Sequence, residues 1–336
     1  MPHLVSVIVA SWNGRAYLEK CLASLITQTY PEVEIIIVDN GSTDGSATWV
    51  AEHYPNIRLI CNRQNLGFAA ANNQGIQAGR GHYLALLNND TWVEPRWIAE
   101  MVAAVEQDAR VGMVASRMVF ADQPGMINST GICVDQCGLS WDRGGGTPVE
   151  LTEREPVPVF GACAGAALYR RELFNDVGLF DEDFFAYLED ADLAWRARWR
   201  GWKAIYAPAA CVYHLHSATS REGSPFKTYL LSKNKILMLA KNYPLPYLIF
   251  FLPPILFYEL LSLGYALVER RGASAWRGRM AGLRALPDAW RKRRQLWARP
   301  HISAGEVFHL LESAVTPWQV YWRYQHIEAR SSPRKR

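Results

Sequence analysis

The sequence predicts an α/β protein built on a mostly parallel, mixed sheet, and three observations carry that expectation. Short apolar runs of strand length alternate with segments of helical periodicity. The stretches between the runs are long enough for crossover helices, which parallel pairing requires. Asp, Asn and Gly gather where the apolar runs stop. In open sheets of this kind ligands bind beyond the carboxyl ends of the strands, so those polar clusters are the candidates for chemistry.

Taken in order, strands are expected at Leu4–Ala10, Glu34–Val38, Ile57–Cys61, His82–Leu87 and Val111–Ser116. Amphipathic helices are expected near Ala16–Thr27, Ser46–His53, Ala69–Ala78 and Trp97–Gln107. From Asn128 to Gly161 the texture becomes glycine-rich and β-like, with a turn at Asp142-Arg143-Gly144-Gly145-Gly146, which reads as hairpin and loop. Helical periodicity returns at Arg170–Val177 and Asp190–Arg200, followed by a strand at Ala204–Ala207. Ser217–Pro225 is polar and suits a mobile loop.

Composition narrows the class. Of 336 residues, 49% are hydrophobic and 20% charged, which excludes a disordered chain and an ordinary multispan membrane protein. The net charge of +4 hides an asymmetry: from Glu269 onward there are 15 basic and 5 acidic residues, so the body is mildly acidic. Six cysteines at irregular spacing make no disulfide scaffold, and the close pair Cys133 and Cys137 lacks further zinc ligands nearby. The opening MPHLVSVIVASWNGR has no basic start, so no secretion signal is read and the cytosol is the expected compartment.

Residues 1–243 read as the body and 244–336 as a different region. Leu245–Val268 has 24 residues with one charge, Glu259, and three prolines, Pro246, Pro253 and Pro254. That length could span a bilayer, but the double proline is expected to split it and leave only Ile255–Val268 unbroken, too short to cross. The segment that follows interleaves Trp276, Trp290 and Trp297 with Arg270, Arg271, Arg277, Arg279, Arg284 and Arg291-Lys292-Arg293-Arg294. Such a mixture suits the headgroup layer of an anionic membrane surface. A full crossing would put these cations on the far side from a cytosolic active site, so peripheral or re-entrant attachment at the cytoplasmic face is expected. A nucleic-acid partner is not expected, because the basic tail follows an apolar segment and the body is acidic.

Five constellations carry chemistry. The first strand ends in Ser11-Trp12-Asn13-Gly14 and the second in Asp39-Asn40-Gly41-Ser42. Each can simply turn the chain and cap the next helix. Together they offer an aromatic face for stacking a base and polar groups for the edge of uracil or thymine. Asn65-Leu66-Gly67 opens a small-residue helix start that would let backbone approach a phosphate. The GxGxxG fingerprint is missing there and in the first turn, which argues against an NAD-dependent enzyme. Asn88-Asn89-Asp90 closes the fourth strand, where Asp90 is either a helix cap or a hard oxygen ligand for Mg²⁺ or Mn²⁺ on a diphosphate. His214 and His216 follow the last strand, and His214 is favoured as the second ligand because imidazole suits Mn²⁺. In Glu189-Asp190-Ala191-Asp192, acids at a helix start complement its dipole, while Asp190 can face a cleft as a base and Asp192 can pair with Arg196.

In this order, VSVIVASWNG, IIIVDNGSTDGS, NLGFAAANNQGI, LLNND, GACAGAALYRRELFNDVGLFDEDFFAYLEDADLAWR and VYHLHSATS resemble glycosyltransferase family 2, and within it the bacterial rhamnosyltransferase-type branch, over residues 4–240. The resemblance implies a GT-A fold and a catalytic domain at 1–243. It implies transfer of a sugar with anomeric inversion, from a nucleoside-diphosphate donor to a glycan or lipid-linked acceptor. By position it assigns the nucleobase to Trp12, Asp39 and Asn40, the wider nucleotide site to Ser11, Asn13, Asn65, Gly67, Asn88 and Asn89, and the donor sugar to Gly165 and Ala166. Asp90 falls at the final acid of the family's metal motif, whose earlier acid is Asn88 here, so His214 gains importance as a ligand for Mn²⁺ or Mg²⁺. Asp190 matches the catalytic base, with Glu189 orienting the acceptor or supporting it. Lys233-Asn234 stands where Arg-Asn contacts the diphosphate.

The resulting expectation is a membrane-attached sugar transferase, adding a deoxysugar such as rhamnose from dTDP-rhamnose. A transferase using UDP-sugars or charging a polyprenyl phosphate is the alternative within the class. A non-catalytic nucleotide-sugar-binding scaffold is the alternative outside it.

Overall fold

A computed structural model describes residues 2–215, 223–297, 302–316 and 319. The chain runs β1 (Val5–Ser11), α1 (Arg15–Ile26), β2 (Val33–Asp39), α2 (Ser46–His53), β3 (Arg58–Cys61), α3 (Phe68–Ala78), β4 (Tyr83–Leu87), β5 (Thr91–Val93), α4 (Trp97–Val105) and β6 (Val111–Phe120). It continues through β7 (Gln123–Ser129), β8 (Ile132–Val134), β9 (Ser140–Asp142), β10 (Val157–Val159), β11 (Ala166–Arg170), α5 (Arg171–Val177), α6 (Glu189–Trp199) and β12 (Lys203–His214). Five helices follow: α7 (Pro225–Asn242), α8 (Leu245–Val268), α9 (Gly272–Arg284), α10 (Leu286–Trp297) and α11 (Ala304–His309).

The main sheet has the order β10-β12-β6-β11-β4-β1-β2-β3, with β5 added on β12 and β7 on β6. β4, β1, β2 and β3 pair in parallel, as do β6 and β12, while β11 runs antiparallel between β4 and β6. This is the mostly parallel mixed sheet the sequence implies. Its central strands are buried on both faces because their residues alternate between two cores. Ile8, Ile36, Leu84 and Leu86 face α3, α6 and α7, whereas Val7, Val9, Ile37 and Leu87 face α1 and α4. Gly75 lets α3 lie directly on β1, since a Cβ there would sit 2.3 Å from the Ile8 side chain.

Three expectations are corrected. First, β11 was not foreseen, and β12 extends well past Ala207 to His214. The sequence GACAGAALYRREL carries small residues with no clear period, and α5 starts directly after β11 with no turn to mark the change. Second, α8 is one 24-residue helix that passes through Pro253 and Pro254. Its neighbours compensate for the prolines: Tyr247 stacks on Phe308, and Glu259 binds Lys235 at 2.8 Å and Arg279 at 2.7 Å. Third, several cations assigned to a membrane surface are internal. Arg279 and Arg293 are buried, Arg293 donating to the carbonyls of Ala240, Lys241 and Tyr243, and Lys292 binds Asp181 and Asp183.

The C-terminal helices are fastened to the body. α9 and α10 pack on α7, and Ile255, Ala289, Val307 and Leu311 join the same core as α6. Beyond α11 the chain returns to the β8 edge, where Glu312 and Val134–Gln136 exchange backbone hydrogen bonds and Val315 N–H donates to Asp135.

Candidate active site

The site forms where β1, β2, β4 and β12 end and β11 begins. In-register pairing sets Ser11 beside Asp39, and Ala166 beside Leu87. Trp12 stands 39% exposed at the rim, an open aromatic face. Asp39 is buried; one carboxylate oxygen accepts from Ser42 N–H at 3.1 Å, and the other has no partner among the described residues. A buried acceptor of that kind calls for a donor from outside, such as an imide N–H. Asn13, held at φ 49°, accepts from Thr43 N–H at 2.8 Å and ties the first strand-end loop to the second.

Other nucleotide candidates shape the walls instead. The Asn40 amide donates to Asn65 Oδ1 and the Gly67 carbonyl, while its oxygen accepts from Asn62 and from Leu66 N–H. All four of its hydrogen-bonding capacities are therefore used inside the protein, and the base edge is left to Asp39. Ser11 and Asn89 are buried and bonded to each other at 3.0 Å, bracing β1 against β4. The close approach that Gly67 permits is taken by Phe185, not left open for a phosphate. A Cβ on Gly67 would lie 2.6 Å from the Phe185 carbonyl, which caps α3 by accepting from Ala69 N–H.

At the next strand end the backbone positions two metal-type ligands. His214 pairs in register with Thr91, and Leu215 N–H donates to the Asp90 carbonyl at 3.0 Å. His214 Nε2 then lies 3.4 Å from Asp90 Oδ1, both side chains largely buried. His214 Nδ1 lies 2.8 Å from Asn128 Oδ1, a contact that orients the ring with Nε2 toward Asp90. A carboxylate and an imidazole facing one another fit a divalent cation of the Mn²⁺ type. Among the described residues no group of three or more His, Cys, Asp and Glu forms a fuller shell, so a bound cation would take its remaining ligands from diphosphate and water. His216 and residues 217–222 of the expected loop lie outside the described residues.

Gly165 and Asp190 complete the row. The Gly165 carbonyl accepts from Asn88 N–H at 2.8 Å, and a Cβ on Gly165 would press on Asn88 Nδ2 at 3.2 Å. One residue earlier, Ala164 N–H donates to Asp190 Oδ2 at 3.1 Å, so the 164–166 segment bridges the end of β4 and the acid at the start of α6. Burial, aided by the Asp142 carboxylate of β9, pushes the Asp190 carboxyl up to about 6 against hydrogen bonds from Ala164 and Ala191 N–H. That is the range of a proton acceptor working near neutral pH. Glu189 is only 5% exposed, and burial next to Asp190 raises its carboxyl well above the usual range.

One expected pairing holds and one assignment changes. Asp192 does pair with Arg196 at 2.9 Å, and also with Lys241 and Asn242, each at 2.7 Å. Burial opposes its charge, but Lys241 and Arg196 outweigh it and hold the carboxyl below its ordinary range. Asn234 is fully buried, and its amide N–H groups are engaged by the carbonyls of Phe184, Ala186 and Tyr187. Sequence reasoning missed Asn128 and Asp142. Both sit in the glycine-rich stretch, where no period or strand end marks them.

Comparison with known proteins gives the family and the fold. The profile described as "Glycosyl transferase family 2" matches residues 6–178. A Mycobacterium tuberculosis protein described as N-acetylglucosaminyl-diphospho-decaprenol L-rhamnosyltransferase is 32% identical over 248 residues, covering 67% of this chain and 80% of that protein. Among solved structures, GalNAc-T7 with UDP, GalNAc and Mn²⁺ superimposes with TM-score 0.59 at 20% identity, over 73% of this chain and 49% of that one. The mannosyltransferase PcManGT from Pyrobaculum calidifontis, in complex with GDP-Man and Mn²⁺, gives TM-score 0.52 at 19% identity, over 98% of this chain and 86% of that one. The architecture is that of GT-A glycosyltransferases, and the chain belongs to glycosyltransferase family 2.

Proposed function

We propose that the protein is an inverting glycosyltransferase that moves rhamnose from dTDP-rhamnose to a hydroxyl of a lipid-linked glycan at the cytoplasmic face of a membrane. The observation that carries the enzymatic reading is Asp190, a carboxylate of raised basicity one hydrogen bond from the segment that faces the end of β4. The rhamnosyl donor and lipid-linked acceptor are supported by the mycobacterial relative.

Trp12 stacks on the base and Asp39 accepts its N–H. Asn88 and Gly165 border the sugar. Asp190 takes the proton of the acceptor hydroxyl as that oxygen bonds to the anomeric carbon. The bond from that carbon to the diphosphate oxygen breaks on the opposite face, its electron pair leaving with the diphosphate. A base so placed contributes ~10²–10⁴-fold in rate. Asp90 and His214 would hold Mn²⁺ or Mg²⁺, which supplies Lewis-acid stabilisation of the leaving diphosphate.

Membrane attachment rests on α8. It is long and apolar enough to cross a bilayer, and within the structure only Ile255 and Ala266 are buried. Proline has no N–H, so Pro253 and Pro254 leave the carbonyls of Ile249 and Phe250 without their helical donors. Hydrocarbon tolerates such carbonyls poorly. With Glu259 pinned to α7 and α9, the helix is best placed lying in the headgroup boundary, its open face down.

The test is thermal stabilisation by dTDP, UDP and GDP, each with Mn²⁺ and with EDTA. Ligand at ~100 times its dissociation constant adds roughly 2.7 kcal/mol. Metal-dependent stabilisation by dTDP alone is expected. Response to UDP or GDP instead would replace the donor, and no response to any of them would overturn the transferase reading in favour of a scaffold.

A further inference from the structure

The segment that delivers Asp190 is not self-supporting. Phe185, Tyr187 and Leu188 have φ of 63°, 69° and 66°, a left-handed run of bulky residues that is rare without outside restraint. Leu188 occupies the cap position of α6 in this conformation and makes no side-chain cap, so α6 does not organise its own start.

The restraint comes from other helices. Asn234 on α7 reaches three successive turns of this backbone, donating to the carbonyls of Phe184 and Ala186 at 2.9 Å and of Tyr187 at 2.8 Å. Lys233 donates to the Asp183 carbonyl, and Lys241 binds Asp181. Lys292 on α10 holds the Asp181 and Asp183 carboxylates at 2.5 and 2.6 Å. On the opposite side, Asn73 of α3 exchanges hydrogen bonds with Phe180.

We propose that Asn234 is a positioning residue for the catalytic base, and that Lys292 extends the same restraint to the C-terminal helices that carry α8. Neither residue touches substrate. Both act by fixing the height and direction of the Asp190 carboxylate. The proposal rests on the transferase reading above, and α10 is on this account part of the active-site framework as well as a neighbour of the membrane-facing helix.

The experiment uses the full chain with Lys292→Gln, Lys292→Arg and Asn234→Asp. Two readouts are taken: amide hydrogen exchange across residues 184–190, and release of nucleoside diphosphate from dTDP-rhamnose with kcat and donor KM resolved. Lys292 is partly exposed, so its variants are expected to fold. Lys292→Gln is expected to speed exchange at 184–190 at least fivefold and to lower kcat about tenfold, with donor KM within twofold. Lys292→Arg should restore both, and Asn234→Asp should exceed Lys292→Gln in each. Unchanged exchange, unchanged kcat, or a loss confined to KM would overturn the clamp. Exchange needs no donor, so faster exchange in Lys292→Gln, with the wild-type protein inert toward every nucleotide sugar, would identify the failure as that of the transferase reading and of the base assignment with it.

Discussion

Helices α6 and α8 invert the ordinary relation between hydropathy and burial. α6 reads Glu-Asp-Ala-Asp-Leu-Ala-Trp-Arg-Ala-Arg-Trp, yet all of it except Asp190 is buried, including Asp192, Arg196 and Arg198. α8 is almost wholly apolar, yet Ile249, Phe250, Leu256, Phe257 and Leu260 face outward. The difference lies in partners. Apart from Glu189, the buried ionisable residues of α6 meet an opposite charge or a row of carbonyls: Arg196 takes Asp192 and the carbonyls of Val177, Gly178 and Leu179, and Arg198 takes those of Phe160 and Trp202. α8 has such a partner only for Glu259, and its open face finds none among the described residues. Burial of Asp192, Arg196 and Arg198 follows satisfaction of their polar groups, and an apolar surface left uncovered marks a face meant for something other than the core.

That contrast can be broken at α6 first. Asp190→Asn should lower sugar transfer by about 10²–10⁴-fold while dTDP binding is retained, read by steady-state kinetics beside thermal shift. In the wild type the low-pH limb of kcat should fall about tenfold per unit below pH ~6, because the raised carboxyl is protonated there and cannot accept the acceptor proton. Asp190→Asn should abolish that limb.

Next is the internal network. Asp192→Ala leaves Arg196 and Lys241 buried without their carboxylate and should cost about 3–5 kcal/mol of stability by chemical denaturation. Because Lys241 and Arg196 hold the native Asp192 carboxyl below its unfolded range, the stability it contributes is present above the unfolded pKa and is lost as pH falls through the folded one.

At α8 the same kind of measurement should give the reverse result. Replacing Phe250, Phe257 and Leu260 together by Ser should leave stability within about 1 kcal/mol, since exposed sites contribute little. Partition onto vesicles containing anionic lipid should fall by at least about tenfold, as each side chain is worth on the order of 1.5–3 kcal/mol when buried. Unaltered vesicle binding would remove α8 as the docking face. At the candidate metal site, Asn128→Ala removes the group that orients the His214 ring and should weaken Mn²⁺-dependent nucleotide stabilisation by about 10–100-fold in apparent metal affinity.

The parallel half of the sheet was legible because its strands are apolar runs and its helices periodic, and both signals are local. Trp12, Asp39 and Asp90 stood out as candidates for the same reason, at the ends of strands the pattern defines, whereas Asp190 stood out at the start of a helix. What escaped depended on tertiary partners. Nothing in Asp39-Asn40 tells which residue of the two is consumed by the 62–67 loop. Among the arginines after Glu269, composition cannot distinguish Arg293, whose carbonyl partners lie on α7, from Arg294, which is exposed. The proline pair was read by its local cost alone, while contacts on α7, α9 and α11 decided the helix.

One reversal in the sheet has a consequence for how donors are chosen. β11 is inserted antiparallel between β4 and β6, so its first residues enter the cleft at the level where β1, β2 and β4 leave it. On the proposed donor orientation, the base is read by chain segments before residue 90 and the sugar by a segment arriving from the opposite direction, more than seventy residues later. On that proposal nucleotide and sugar preference draw largely on different stretches of sequence, which meet where Asn88 N–H donates to the Gly165 carbonyl. Exchanging the short run that leads into β11, with the Asn88 contact at Gly165 kept, then offers a route to a new sugar on an unchanged nucleotide.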